Sequence, residues 1–372
     1  MPQKFADWEM TLTTCLEAIA GANVVVCCGP GGVGKTTVSA SLAIALAEQG
    51  LNVCVMTVDP ARRLADVLGL QHIGDEPSVV EAVGPGVLSA MMLDTAGTFD
   101  QLIDRYAANA EQANSIRKTR IYEAMVSSLG GTQEYMAMEK LYELSTSGKY
   151  DLIVVDTPPT RNALELLDAP RRITALFENR LFRALLMPTK AYLKAFSFAT
   201  QAMLKAVSSA AGAELVADAV AFLQAFTGME EGFVERSTAM RTLLFAPTTK
   251  YVVVTSPRRD AIAEAAFFAE QLLENGPEVS CVVVNRLHPD FGPPPEVATN
   301  DASVLDLVDN LRLLHVSVIA EEQLVADLRA RAGDPVVVGL PLVPDDSHDL
   351  NGLRSMATGL GGPQPNRRRR DE

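Results

Sequence analysis

The chain has 372 residues, 48% of them hydrophobic and 21% charged, with a formal net charge of −14. Such a length can bury a sizeable core as one large domain or two ordinary ones. The acidic balance argues against a nucleic-acid partner, whose phosphates need a basic surface. No run reaches the ~18 apolar residues of a transmembrane segment. The five cysteines (Cys15, Cys27, Cys28, Cys54, Cys281) form no C-x-x-C pair, and only four histidines occur. That usage disfavours a zinc or iron–sulfur site and suits a reducing compartment. The first residues, MPQKFADWEM, hold no apolar signal core. A cytoplasmic protein without a transmembrane segment is therefore expected.

In chain order, residues 12–22 predict a short leading helix and 23–28 (NVVVCC) an apolar strand. Gly29-Pro30-Gly31-Gly32-Val33-Gly34-Lys35-Thr36-Thr37 follows, which is G-x-x-x-x-G-K-[ST] between a strand and a helix. Glycines suit a loop that must wrap a phosphate with its own N–H groups. The helix opening at Lys35 adds its positive end to the same anion. The motif predicts a nucleoside-triphosphate site built from Gly29, Gly31, Gly32, Val33, Gly34, Lys35, Thr36 and Thr37. Lys35 would lie against the phosphates and Thr36 would offer its hydroxyl to magnesium.

Residues 37–47 are small and apolar nearly all round, as in a helix buried on a sheet, and Gly50 ends them. Strands are predicted at 52–58, ending at Asp59, at 87–93, ending at Asp94, and at 151–155, ending at Asp156. Residues 98–147 read as largely helical, with breaks near Gly97 and Gly130-Gly131. The rhythm resumes with strands at 251–255 and 279–284, the second closing on Asn285, around a helix at 258–275. A proline-rich loop spans 286–300. A helical stretch at 301–332, with a candidate short strand at 315–319, leads to a last strand at 335–338. Near-continuous apolar strands alternating with helices predict a doubly wound, mostly parallel α/β sheet with a P-loop NTPase core. Ligands then bind at the carboxyl ends of the strands, where Asp59, Asp94, Asp156 and Asn285 all fall.

The interval 171–245 has no strand signal and predicts an inserted all-helical subdomain. The core would comprise residues 1–170 and 246–360, and 361–372 would be a disordered tail. Phe196, Phe198, Met203, Leu204, Val207, Leu215, Val216, Val220, Phe222, Leu223 and Phe226 make the insert apolar on more than one face. Two readings stand open: a helical cap buried on itself, or a groove or dimer surface for another apolar chain. The run Arg367–Arg370 reads as a solvated tail or as a weak attraction to an anionic membrane surface.

Among the strand-end acids, Asp156 follows four apolar residues and sits where a metal-organising carboxylate is needed; its alternative is a capping role. Asp59 opens the segment DPARRLAD and would orient or deprotonate an attacking water, or else cap the helix at 62–68.

The phosphate loop, DPARRLAD and Asp156-Thr157-Pro158-Pro159-Thr160-Arg161 together resemble the arsenite-pump and tail-anchored-protein targeting ATPase family. There the loop reads GKGGVGKT, the first switch DPAHSLSD and the second DTAPTGHTL. Similarity extends to Asn285, where the family uses an asparagine for the adenine, and to Gly339-Leu340-Pro341-Leu342, where a late loop closes over the base. It covers roughly residues 20–355. The resemblance implies ATP and Mg2+ as ligands, Asp59 activating the water, Thr36 and Asp156 organising magnesium, and Asp66 in the first switch. Residues 156–162 would form the second switch. It also implies a dimer and a hydrophobic or membrane-protein client handled by the helical insert, at the membrane periphery or in the cytoplasm.

Departures from the family pattern matter equally. Its second loop residue is a lysine that reaches the partner subunit's phosphates; here it is Pro30, with neither charge nor N–H. The chain could pair as a heterodimer with a lysine-bearing paralogous ATPase, or substitute Arg62, Arg63 or Arg161 within a homodimer. Alternatively it could hydrolyse weakly, as a regulatory subunit. The thiols of arsenite-stimulated members and the C-x-x-C of the targeting members are both missing, which weighs against an oxyanion-pump subunit or a zinc-clasped dimer. Arg161-Asn162 stands where the family prefers Gly-His.

Overall fold

The computed structural model describes residues 14–59, 61, 63–80, 83–123, 132–158, 160–178, 218, 221–342 and 350–361. The chain divides into two compact units, one comprising 1–92, 144–164 and 247–372, the other 93–143 and 165–246.

The first unit is built on eight strands: β1 (Val24–Cys28), β2 (Asn52–Thr57), β3 (Ser78–Val80), β4 (Val87–Met92), β5 (Leu152–Asp156), β6 (Thr249–Thr255), β7 (Val279–Leu287) and β8 (Val336–Pro341). They form one sheet in the order β3-β4-β2-β5-β1-β6-β7-β8. All neighbours pair in parallel except β3, which runs antiparallel to β4. The expected parallel α/β fold is therefore the observed one. Its helices are α1 (Cys15–Ala18), α2 (Lys35–Glu48), α3 (Arg63–Leu68), α9 (Arg259–Asn275), α10 (Ala302–Arg331) and α11 (Leu350–Gly361).

Alternate strand residues share a face, and the face bearing Val25, Cys27, Val53, Val55, Val154, Val252, Val254, Cys281 and Val283 forms one core with α2, α3 and α11. The intervening residues, such as Val26, Cys54, Met56, Val155 and Val253, are buried too. Burial on both faces is why these strands read as unbroken apolar runs rather than as alternations. Residues 38–47 of α2 are all buried, as its sequence requires.

The second unit is helical: α4 (Thr95–Tyr106), α5 (Ala110–Arg117), most of α6 (Thr132–Thr146) and of α7 (Thr160–Glu178), and α8 (Glu230–Leu244). Phe222, Phe226 and Phe233 form its aromatic centre, with Phe226 and Phe233 rings 5.6 Å apart. Gly232 admits the Tyr106 ring where a Cβ would stand 2.4 Å from it. The buried carboxylate of Glu139 accepts from Arg105 at 2.8 Å and from Arg236 Nη2 at 2.5 Å, and the Arg236 guanidinium lies 4.0 Å over the Tyr142 ring.

The helical unit comprises 93–143 and 165–246. Two expectations of local structure change. Gly97 does not break a helix; it lies in the first turn of α4, whose N-cap Asp94 accepts from Ala96 N at 3.0 Å. The candidate strand at 315–319 is the middle of α10, a single 30-residue helix. Its β-branched run is flanked by strong helix formers and capped by Asp301, so local strand propensity loses to the continuous helix. Of the apolar insert residues, Phe222 and Phe226 are packed inside the helical unit. Phe196, Phe198, Met203, Leu204, Val207, Leu215, Val216 and Val220 lie outside the described residues, as do the tail and Arg367–Arg370.

Candidate functional site

β1 lies centrally, with β5 on one side and β6 on the other, so the chain order reverses around it. A crevice at the carboxyl end is expected at such a point. Register then decides what meets there. Cys27 and Thr57 are both Cα partners of Asp156, which aligns the ends of β1, β2 and β5.

The loop from Gly29 to Gly34 leaves β1 and enters α2. Gly29 has φ 149°, and a Cβ on it would stand 1.9 Å from the Val254 carbonyl oxygen of β6. Gly34, the α2 N-cap, has φ 91°, and a Cβ there would stand 2.4 Å from Asn285 Nδ2. Only glycine fits either place. Lys35 is buried and its Nζ donates to the carbonyls of Gly29 at 3.0 Å and Pro30 at 2.8 Å. Burial lowers its pKa, against the opposing pull of Asp156.

Asp156 is the acid of the site. Its Oδ2 accepts from Thr36 Oγ1 at 2.7 Å and from Thr57 Oγ1 at 3.0 Å. Its Oδ1 is buried and has no hydrogen-bond partner. Burial raises the carboxyl pKa from 3.8 to about 6, although both hydroxyls pull it down. A hydroxyl and a carboxylate with an open oxygen are hard ligands that suit Mg2+, which in nucleotide sites takes only one or two protein ligands and fills the rest with phosphate and water.

Asp59 is half-buried just past β2. Its Oδ1 accepts from Ala61 N at 3.0 Å and its Oδ2 lies 3.4 Å from Arg63 Nη1. In this state Asp59 organises the turn that precedes α3. Asp66 is exposed on α3. Of the arginines named as substitutes for the missing cation, Arg63 is committed to this ion pair and its side chain is 66% exposed. Arg62 falls outside the described residues.

On the other side of the loop, Asn285 Nδ2 donates to the Val33 carbonyl at 2.9 Å. Leu342 N donates to the Leu287 carbonyl at 2.8 Å, which ties Pro341 and Leu342 to the end of β7 beside Asn285. The structure thus brings the loop, Asp156 and Asn285 into one region. Two residues carry no flag in the sequence reading. Thr57 is found only through the strand register; Arg286, which reaches the Gly32 carbonyl at 3.2 Å, is signalled only by being the residue after Asn285. All five cysteines are buried free thiols.

A central parallel sheet with this loop at the end of β1 and an acid at the end of β5 defines a P-loop NTPase fold. The family model described as anion-transporting ATPase matches residues 22–294, and the chain belongs to that family. Relatives include "ATPase ASNA1 homolog 2" of Paramecium tetraurelia, 35% identical over 142 residues, or 38% of this chain and 42% of the relative. "ATPase GET3" of Ajellomyces dermatitidis is 35% identical over 146 residues, 38% of this chain and 41% of the relative. "ATPase GET3" of Malassezia globosa is 34% identical over 146 residues, 39% and 42% of the two chains. These matches span about two fifths of the relatives' length.

Proposed function

We propose that this chain is a cytoplasmic, magnesium-dependent ATP hydrolase that works as a dimer and uses nucleotide state to handle a hydrophobic or membrane-protein client. The observation that supports it best is the buried Asp156 carboxylate, held by Thr36 and Thr57 with Oδ1 open, beside a glycine loop whose lysine is already sequestered. The N–H groups of Gly31 to Thr37 and the Lys35 ammonium hold the phosphates; Thr36 and Asp156 hold the metal. Bound Mg2+ supplies neutralisation of charge on the phosphate oxygens. Asp59 orients the water and accepts its proton once released from the Ala61 turn. Asn285 takes the adenine, with Pro341 and Leu342 alongside. The client reading is supported by family membership and by the apolar composition of 190–227. Among the described residues no helix is long and apolar enough to cross a membrane.

Lys35→Ala is expected to weaken ATP binding at least about tenfold, and Asp59→Asn to slow turnover by about two orders of magnitude with binding retained. If neither variant differs from wild type, these assignments fall. Purified protein that hydrolyses no ATP with magnesium, alone or mixed with a lysine-bearing paralogue, would sink the enzyme reading. Copurification of ATP-trapped protein from native cells reports partner and client together.

Pro30 favours a second reading, a subunit completed by a paralogue. It is buried, and its side chain carries neither charge nor N–H to offer a partner's phosphates. This reading predicts slow hydrolysis alone and acceleration on adding the paralogue; equal rates in both conditions would dismiss it.

A further inference from the structure

β7 ends on two consecutive polar residues, and both reach the phosphate loop. Asn285 Nδ2 donates to the Val33 carbonyl at 2.9 Å, and Arg286 Nη1 donates to the Gly32 carbonyl at 3.2 Å. A regular strand would send two successive side chains to opposite faces. Here the β7–β8 register shifts between Val284 and Leu287, and Arg286 has φ 66°. A non-glycine residue in that left-handed region carries roughly 1 kcal/mol of strain, and bulges of this kind re-aim side chains beside functional sites. The bulge turns Arg286 onto the same loop as Asn285.

What the two contacts do follows from peptide geometry. The peptide group is planar and trans, so its C=O and N–H point in opposite directions. Fixing the Gly32 and Val33 carbonyls toward β7 therefore turns the N–H groups of Val33 and Gly34 away from it. Neither N–H has a hydrogen-bond partner among the described residues. Such convergent, unpaired donors are what a phosphate loop offers an anion. The Gly34 peptide is further confined by Asn285, since a Cβ at Gly34 would stand 2.4 Å from its Nδ2. Arg286 adds what Asn285 lacks. It is an exposed guanidinium at the end of β7 whose remaining donors form no ion pair among the described residues, and the loop it contacts has an uncharged proline as its second residue.

We propose that Arg286 is a positioning residue of the phosphate loop: it holds the Val33 and Gly34 N–H groups in their polyphosphate-binding direction and supplies positive charge at the rim that Pro30 leaves uncharged. The proposal rests on the reading of this loop as a nucleoside-triphosphate site.

Arg286→Gly is the clean deletion, because glycine adopts φ 66° without strain. Arg286→Lys keeps the charge without the planar fork. Calorimetric titration of the full chain with ATP and with inorganic tripolyphosphate, at fixed magnesium and salt, reads the effect. Arg286→Gly is expected to weaken both ligands by a similar factor, roughly tenfold, with an unfolding temperature no lower than wild type. Arg286→Lys should fall between. Tripolyphosphate binding to Arg286→Gly within about twofold of wild type overturns the proposal, whether ATP is unchanged or weakened; in the second case the arginine reads the base instead. Should Arg286→Gly not fold, Arg286→Lys decides: binding like wild type overturns, and weakening by more than about threefold at unchanged unfolding temperature supports. Wild-type protein that binds neither ligand overturns the nucleotide reading itself, and the role of Arg286 with it.

Discussion

At the scale of single residues, the candidate site keeps a charge that the free fold would be more stable without. Asp156 would be cheaper as an amide in the free protein: its carboxyl is buried, one oxygen is unpaired, and its pKa is raised to about 6 with burial the main cause. The sign is that of a carboxylate destabilised by folding. Below the unfolded pKa near 3.8 the group is protonated in both states and contributes nothing. Between there and about 6 the unfolded chain ionises first and the fold loses stability, and above about 6 the full cost stands. A tenfold change in the acid's ionisation equilibrium is worth ~1.4 kcal/mol, so that cost is on the order of 3 kcal/mol. Asp156→Asn should therefore raise the unfolding temperature of the nucleotide-free protein, by more at pH 8 than at pH 5.5, while abolishing magnesium-dependent hydrolysis. A stability gain independent of pH, or a loss at pH 8, would show that burial is not what this carboxylate resists.

At the scale of elements, legibility tracks how much of an element's burial is written locally. β1, β2, β5, β6 and β7 are readable because both faces are covered, so nearly every residue is apolar. The loop is readable because Gly29 and Gly34 serve backbone geometry and close approaches that no other residue fits. β3 is not, because three residues pairing antiparallel to a neighbouring strand leave no periodic signal. α11 is equally hidden. Its buried positions Leu353, Ala357 and Leu360 follow an i, i+4, i+7 pattern, but its glycines and short length blur it. The register that pairs Thr57 with Asp156, and the bulge that turns Arg286 onto the loop, are tertiary facts with no local code. α11 packs on α2, the helix that carries Lys35 and Thr36, and Arg354 Nε donates to Glu48 at 3.1 Å across them. Leu353 is fully buried there, so Leu353→Ala should cost about 2–5 kcal/mol. Denaturant unfolding measures it; a cost under about 1 kcal/mol would mean that α11 is peripheral to the core rather than part of it.

At the scale of the whole molecule, the proposed hydrolysis needs a cation at the transition state. The described residues include Lys35 at the loop, Arg286 at its rim and Arg63 paired to Asp59, while Pro30 is uncharged where the resemblance implies a trans-acting lysine. A cation delivered from a second subunit can be worth about 10³–10⁵ in rate. Pro30 is buried but its only polar role is a backbone carbonyl, which any residue retains, so Pro30→Lys keeps the Lys35 contact available. If the chain forms homodimers and its rate is limited by that missing charge, Pro30→Lys should raise turnover more than about tenfold. The gain should grow with protein concentration through the dimer range, because the new ammonium works only on a partner. A gain independent of concentration would place the lysine's action within one chain. No gain at any concentration would mean that the charge is already supplied, and combining Pro30→Lys with Arg286→Gly then asks by which residue: recovery of turnover only in the double variant points to Arg286.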